Sequence, residues 1–142
     1  MLATPSPAPS SYTGKFLGLD TETSGNWVGT YGKDGYVLIN GDETITTVRP
    51  PYVTSVDVKA RSQVGVWAAN TTDTRALEQP PGSTKARSAA CWTYGTSLDV
   101  SINTQSPTQP LCVSFYVVDW DSNDRRMTAA PQYQIRIEQP NQ

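Results

Sequence analysis

The sequence predicts an all-β fold, a two-sheet antiparallel β-sandwich with jelly-roll-like organisation. Three observations carry this expectation. Short apolar runs are broken by turn residues at intervals typical of all-β domains. No stretch shows sustained helical periodicity. Apolar residues are only 37 % of the chain, but four Trp and seven Tyr among 142 residues supply large buried areas for a small core. A closed barrel is the alternative architecture.

The elements follow in order. Residues 1–13 are a Pro/Ser/Thr-rich segment, "ATPSPAPSS" at its centre, that favours extended polyproline conformations and reads as an interdomain linker or a plain terminal tail. Met1 is read as an added start, with the natural chain expected to begin further upstream. The sandwich is expected over 14–138, with a short tail at 139–142. Phe16–Leu19 opens it. Trp27–Tyr31 and Tyr36–Ile39 are expected to pair across Gly32-Lys33-Asp34-Gly35, because Asp-Gly between apolar runs is a hairpin signal. Tyr52–Val58 alternates, with valines on one face. Val64–Ala68, Ala89–Tyr94 and Leu98–Ile102 follow, with at most one helical turn over Asp73–Leu77. Leu111–Asp119 is the most apolar run and is expected as a central strand covered on both faces. Tyr133–Glu138 alternates and closes the domain.

Composition narrows the chemistry. Eleven basic against 13 acidic residues give a net charge of -2, which disfavours nucleic acid or an anionic membrane surface as partner. No apolar run approaches the roughly 20 residues of a membrane-spanning helix. Histidine is absent, which excludes Ser-His-Asp and Cys-His nucleophile systems. Cys91 and Cys112 are too far apart in sequence for a Cys-x-x-Cys motif and are either a disulfide or two thiols. Asn70-Thr71-Thr72 is an N-glycosylation sequon, in keeping with a secreted chain.

Three constellations are candidates for function. In "GNWVGTYGKDGY" the rings of Trp27, Tyr31 and Tyr36 lie among glycines, either filling a core or offering faces on which a sugar ring could stack. Asn26 and Asp34 are at hand for its hydroxyls. In "DWDSNDRR", Trp120 stands between Asp119 and Asp121, with Asp124 and Arg125 beyond. Asp119, Asp121 and Asp124 offer hard oxygen ligands for a structural Ca²⁺, and ion pairing with Arg125 or Arg126 is the simpler use of the same charges. Between Trp67 and Trp92 runs a polar loop in which Asp73 and Arg75 could form a local pair. Glycosidase chemistry needs two opposed carboxylates. Glu22, Asp34, Asp119 and Asp121 are available, but nothing in the sequence pairs them.

The blocks "DTETSGNWVGTYGKDGYVL", "VWAANTTDTRALEQPPG", "RSAACW" and "FYVVDWDSNDRR", in this order, resemble a β-sandwich accessory module of extracellular carbohydrate-active multidomain proteins. The resemblance spans about Leu19 to Met127. It implies a non-catalytic, carbohydrate-binding-module-like appendage, monomeric and secreted, attached to a catalytic domain. Its ligand would be a polysaccharide or oligosaccharide, stacked on Trp27, Tyr31, Tyr36 or Trp120 and hydrogen-bonded by Asn26, Asp34, Asp121 and Arg125. A structural or protein-contacting domain and a small glycosidase or lyase are the rival expectations.

Overall fold

The structure, a computed structural model, describes residues 14–59, 63–92, 97–105, 110–121 and 134–136. Among them there is no helix. Seven strands run in the order β1 (Tyr36–Ile39), β2 (Ile45–Val48), β3 (Val53–Lys59), β4 (Val64–Thr71), β5 (Leu77–Glu78), β6 (Arg87–Trp92) and β7 (Asp99–Thr104). The protein is all-β, and every strand pairing is antiparallel. Three small sheets result: β1 with β2, β3 with β7, and β4-β6-β5.

Five of the expected strands stand at or close to where the apolar alternation put them: β1, β3, β4, β6 and β7. In β3 the valines share one face only because of a bulge. Val53 is opposite Thr104 while Ser55 is opposite Asn103, so Thr54 is an extra residue on the β3 side. One inserted residue reverses the parity of everything before it. Val53 thereby turns to the same side as Val56 and Val58 and is buried.

The hairpin differs from expectation. Tyr36–Ile39 pairs not with Trp27–Tyr31 but with Ile45–Val48. The connection is the turn Asn40–Thr44, closed by Asn40 N–H donating to Thr44 O at 2.8 Å and by Glu43 N–H donating to Asn40 O at 3.1 Å. Asp42 Oδ1 accepts from the Thr44 hydroxyl at 2.6 Å, and Asn40 Nδ2 donates to Thr46 Oγ1 at 2.8 Å. Trp27–Tyr31 is instead a turn: the Trp27 carbonyl accepts from Thr30 N–H at 3.0 Å and Tyr31 N–H at 2.9 Å. Gly29 at φ +85° lets the chain curl there rather than extend.

Asp73–Leu77 makes a single turn, with Ala76 N–H donating to Asp73 O at 3.0 Å, and then enters β5. Leu111–Asp119 was expected as a central, covered strand. It joins no ladder among the described residues, and Leu111 to Val117 are exposed. Its apolar character is real, but a strand also needs a backbone partner on its edge, and none of the seven strands offers one. Phe16–Leu19 likewise joins no ladder and is exposed. Of Tyr133–Glu138 only residues 134–136 are described, and they are not in a strand. Both cysteines are free thiols, Cys91 half-buried and Cys112 exposed.

The core is small. Leu38 and Ile39 of β1, Val53 of β3, Ala89 of β6 and Ala76, just before β5, are its buried apolar side chains. Ser88 is buried beside them, its hydroxyl accepting from Gln79 Nε2 at 2.7 Å.

Candidate functional site

The segment Asp73–Glu78 is the joint around which the candidate residues gather. Ala76, at 1 % exposure, is its most enclosed side chain. Asp73 shapes the start: its Oδ1 accepts from Arg75 N–H at 2.9 Å, and its own N–H donates to Thr71 Oγ1 at 3.1 Å. The expected Asp73–Arg75 pair is present, with Arg75 Nη2 at 2.8 Å from Asp73 Oδ2. Hydrogen bonds from Arg75 hold the Asp73 carboxyl below the usual carboxylate range, and the carboxylate in turn keeps the guanidinium charged. Both groups are partly solvated, so water screens the pair and it adds little to stability. Its effect is positional.

On one side this segment receives the Gly25–Tyr36 block. Gly25 N–H donates to Thr74 O at 3.1 Å and Glu78 N–H donates to Gly25 O at 3.0 Å. A Cβ at residue 25 would lie 2.1 Å from the Ala76 carbonyl oxygen, so only glycine fits this approach. Trp27 Nε1 donates to Glu78 O at 2.9 Å, and its ring meets Tyr36 edge-on at 4.9 Å between centroids. Asn26 Oδ1 accepts from Arg87 Nη2, while Arg87 Nη1 donates to Ala76 O at 2.9 Å. Tyr31 donates its hydroxyl to Asp20 Oδ2 at 2.7 Å. Asp20 also accepts from the N–H groups of Glu22 and Thr23 and from the Thr23 hydroxyl, and these bonds, led by Thr23, hold its carboxyl far below the usual range. The same bond to Asp20 raises the Tyr31 phenol. Of the sequence-predicted residues, Asn26, Trp27, Tyr31 and Tyr36 are thus brought together, with polar atoms of the first three committed to neighbours within the chain. Tyr36 also borders an open cleft of about 430 Å³ with Asn40, Asp42, Thr46 and the Pro80–Lys85 loop. Asp34 is exposed on the turn before β1.

On its other side the segment carries an aromatic face. Arg75 Cζ lies 4.7 Å from the centroid of the Trp120 ring, and Arg75 Nη1 donates to Trp120 O at 3.4 Å. Trp120 stacks with Trp67, centroids 6.4 Å apart and planes inclined by 22°. Tyr116 donates its hydroxyl to Arg75 O at 2.6 Å. Trp67 owes its position to a bulge in β4: Val66 is opposite Ala90 and Ala68 is opposite Ala89, leaving Trp67 as the extra residue. Bulges re-aim a side chain out of the strand's alternation. Trp67 is accordingly 41 % exposed although its strand neighbours Val66 and Ala68 are half-buried.

Sequence reasoning singled out Trp120 but not Trp67, Arg75 or Tyr116 as contact residues. The Trp and Arg were visible as a Trp-bearing strand beside a charged loop, whereas the bulge that lifts Trp67 left no sequence signal. Asp121 is exposed beyond Trp120. For the Ca²⁺ expectation, Asp119 and Asp121 are described, while Asp124 and Arg125 lie outside the described residues. Among the described residues no group of three or more His, Cys, Asp or Glu could share a metal ion.

No protein-family model, no curated protein and no solved structure matches this chain.

Proposed function

We propose that the protein is a non-catalytic glycan-binding module, folded as a β-sandwich, secreted as a monomer and covalently attached to a carbohydrate-active catalytic domain. The observation that supports this reading is the Trp67–Trp120 face. Two near-parallel indoles, one of them widely exposed, sit beside the Asp73–Arg75 pair. The CH-rich face of a pyranose packs on such a ring. The N–H groups of Arg75 not engaged by Asp73 or Trp120, and the carboxylate oxygens of Asp73 and Asp121, are available chemistry for its hydroxyls. Arg75 spreads its charge over Trp120 and so holds that ring in place before any ligand arrives. Binding of this kind turns nothing over. It raises the local concentration of a linked enzyme at its polymer.

The test is retention of the purified chain on a panel of soluble and insoluble polysaccharides, by pull-down and affinity electrophoresis, with and without Ca²⁺. Retention on one glycan class is expected. Trp67→Ala and Trp120→Ala should each lower it about tenfold, equivalent to roughly 1.4 kcal/mol, with the circular dichroism spectrum unchanged. Absence of retention across the panel overturns the reading.

A second reading, a protein-contacting module, is favoured by one observation. Leu111, Val113, Phe115 and Val117 are all exposed along one extended run, with Phe115 at 50 %. Failure on every glycan, together with loss of a protein contact on Phe115→Ser, would select it.

A further inference from the structure

The sequon Asn70-Thr71-Thr72 belongs to neither the aromatic face nor the polar joint. Asn70 is the only asparagine in the chain with Ser or Thr two places on. It lies near the end of β4, inside the second irregular stretch, where Ala68 is opposite Ala89 and Thr71 opposite Arg87. Its side chain is exposed, and so is Thr72. Among the described residues the Asn70 amide is held through its oxygen: Oδ1 accepts from Ala86 N–H at 3.2 Å. In a planar amide the nitrogen then diverges from that partner. The neighbouring Thr71 hydroxyl is engaged by Asp73 N–H at 3.1 Å.

We propose that Asn70 is an acceptor for N-linked glycan. In the transfer, Nδ2 forms a bond to C1 of the reducing-end sugar of a lipid-linked oligosaccharide. The C1–O bond to the lipid pyrophosphate breaks, its electron pair leaves with the phosphate, and one Nδ2 proton passes to a base of the transferase. Oδ1 takes no part and keeps both its lone pairs. The hydrogen bond from Ala86 therefore survives modification, and the β4 end keeps its anchor to the start of β6. An attached glycan would project from an exposed strand end and displace no core side chain.

The inference does not depend on the glycan-binding reading, and its test is separate. The full chain is expressed behind a secretion leader in cultured eukaryotic cells and analysed by peptide mass spectrometry before and after peptide-N-glycosidase. The expected result is an N-acetylhexosamine-based glycan on the Asn70 peptide, removed by the enzyme with conversion of Asn70 to Asp. Thr72→Ser should retain the modification and Thr72→Ala should abolish it. Thr72→Ala leaves the Asn70–Ala86 bond intact, so it reports on the sequon even where Asn70→Gln fails to fold. A secreted, folded wild-type chain with an unmodified Asn70 peptide overturns the proposal, as does a modification of that peptide that peptide-N-glycosidase does not remove and that converts no Asn70 to Asp.

Discussion

The two aromatic regions of this molecule are built from similar residues and hold their rings in different ways. In the Gly25–Tyr36 block the Trp27 indole donates to Glu78, the Tyr31 hydroxyl donates to Asp20, and Asn26 accepts from Arg87. In the Trp67–Trp120 face the rings rest on one another and on Arg75, with Trp67 turned outward. What separates them is backbone geometry rather than composition. Glycine lets the first block close onto the Asp73–Glu78 segment until the Trp27 indole meets the Glu78 carbonyl. A bulge in β4 pushes the second outward. An aromatic-rich stretch is thus a structural clamp or an accessible platform according to how near the neighbouring backbone can come.

The comparison breaks most severely at Gly25. Gly25→Ala drives a methyl group into the Ala76 carbonyl, where backbone rather than a flexible side chain must move. A loss of about 3 kcal/mol is expected in urea unfolding, enough to unfold much of a marginally stable domain. A variant as stable as wild type would show that the clamp is not formed.

Trp27→Phe and Trp67→Phe sharpen the contrast. The first strands the Glu78 carbonyl and should cost about 1–2 kcal/mol in unfolding, with little change in glycan retention. The second removes an exposed indole and should stay within about 0.5 kcal/mol in unfolding while weakening retention. Equal effects of the two on stability would erase the distinction between the regions.

Asp20 gives the clamp a pH signature. Its folded pKa lies below the unfolded value of 3.8, so its contribution to stability is present above that value and lost as pH falls through the folded one. Carbon NMR titration should find the Asp20 carboxyl still ionised near the bottom of the ordinary carboxylate range, and Tyr31→Phe should move its midpoint upward. A midpoint at the ordinary value would remove the Asp20–Tyr31 bond from the account.

The smallest effect lies outside both regions. Glu43 holds φ +67° in the β1–β2 turn, a conformation glycine adopts without a Cβ penalty. Glu43→Gly should raise stability by about 0.5 kcal/mol, measured by thermal unfolding, and leave retention on glycans untouched.

Much of this fold was readable one strand at a time. The alternation in Val53–Lys59 and the apolar runs of β4, β6 and β7 announced strands, and Asp73 two residues before Arg75 announced a local pair. Ile45–Val48 escaped notice because two threonines between two apolar residues make a weak signal, and its partner was assigned elsewhere. Trp27–Tyr31 read as a strand because apolar alternation does not reveal that Gly29 turns the chain. Leu111–Asp119 read as a central strand because hydrophobicity specifies what a segment avoids, not which edge it pairs with.

The amino-acid sequence by itself therefore determined the β character, the short turn-broken elements and the local Asp73–Arg75 geometry. These depend on side-chain alternation and on bonds between near neighbours, which travel with the chain. Only the tertiary structure decided that Trp27 is clamped while Trp67 is displayed. That choice depends on a two-against-one register with β6 and on the approach of Gly25 to Ala76, both contacts between residues distant in sequence, to which no local pattern is sensitive.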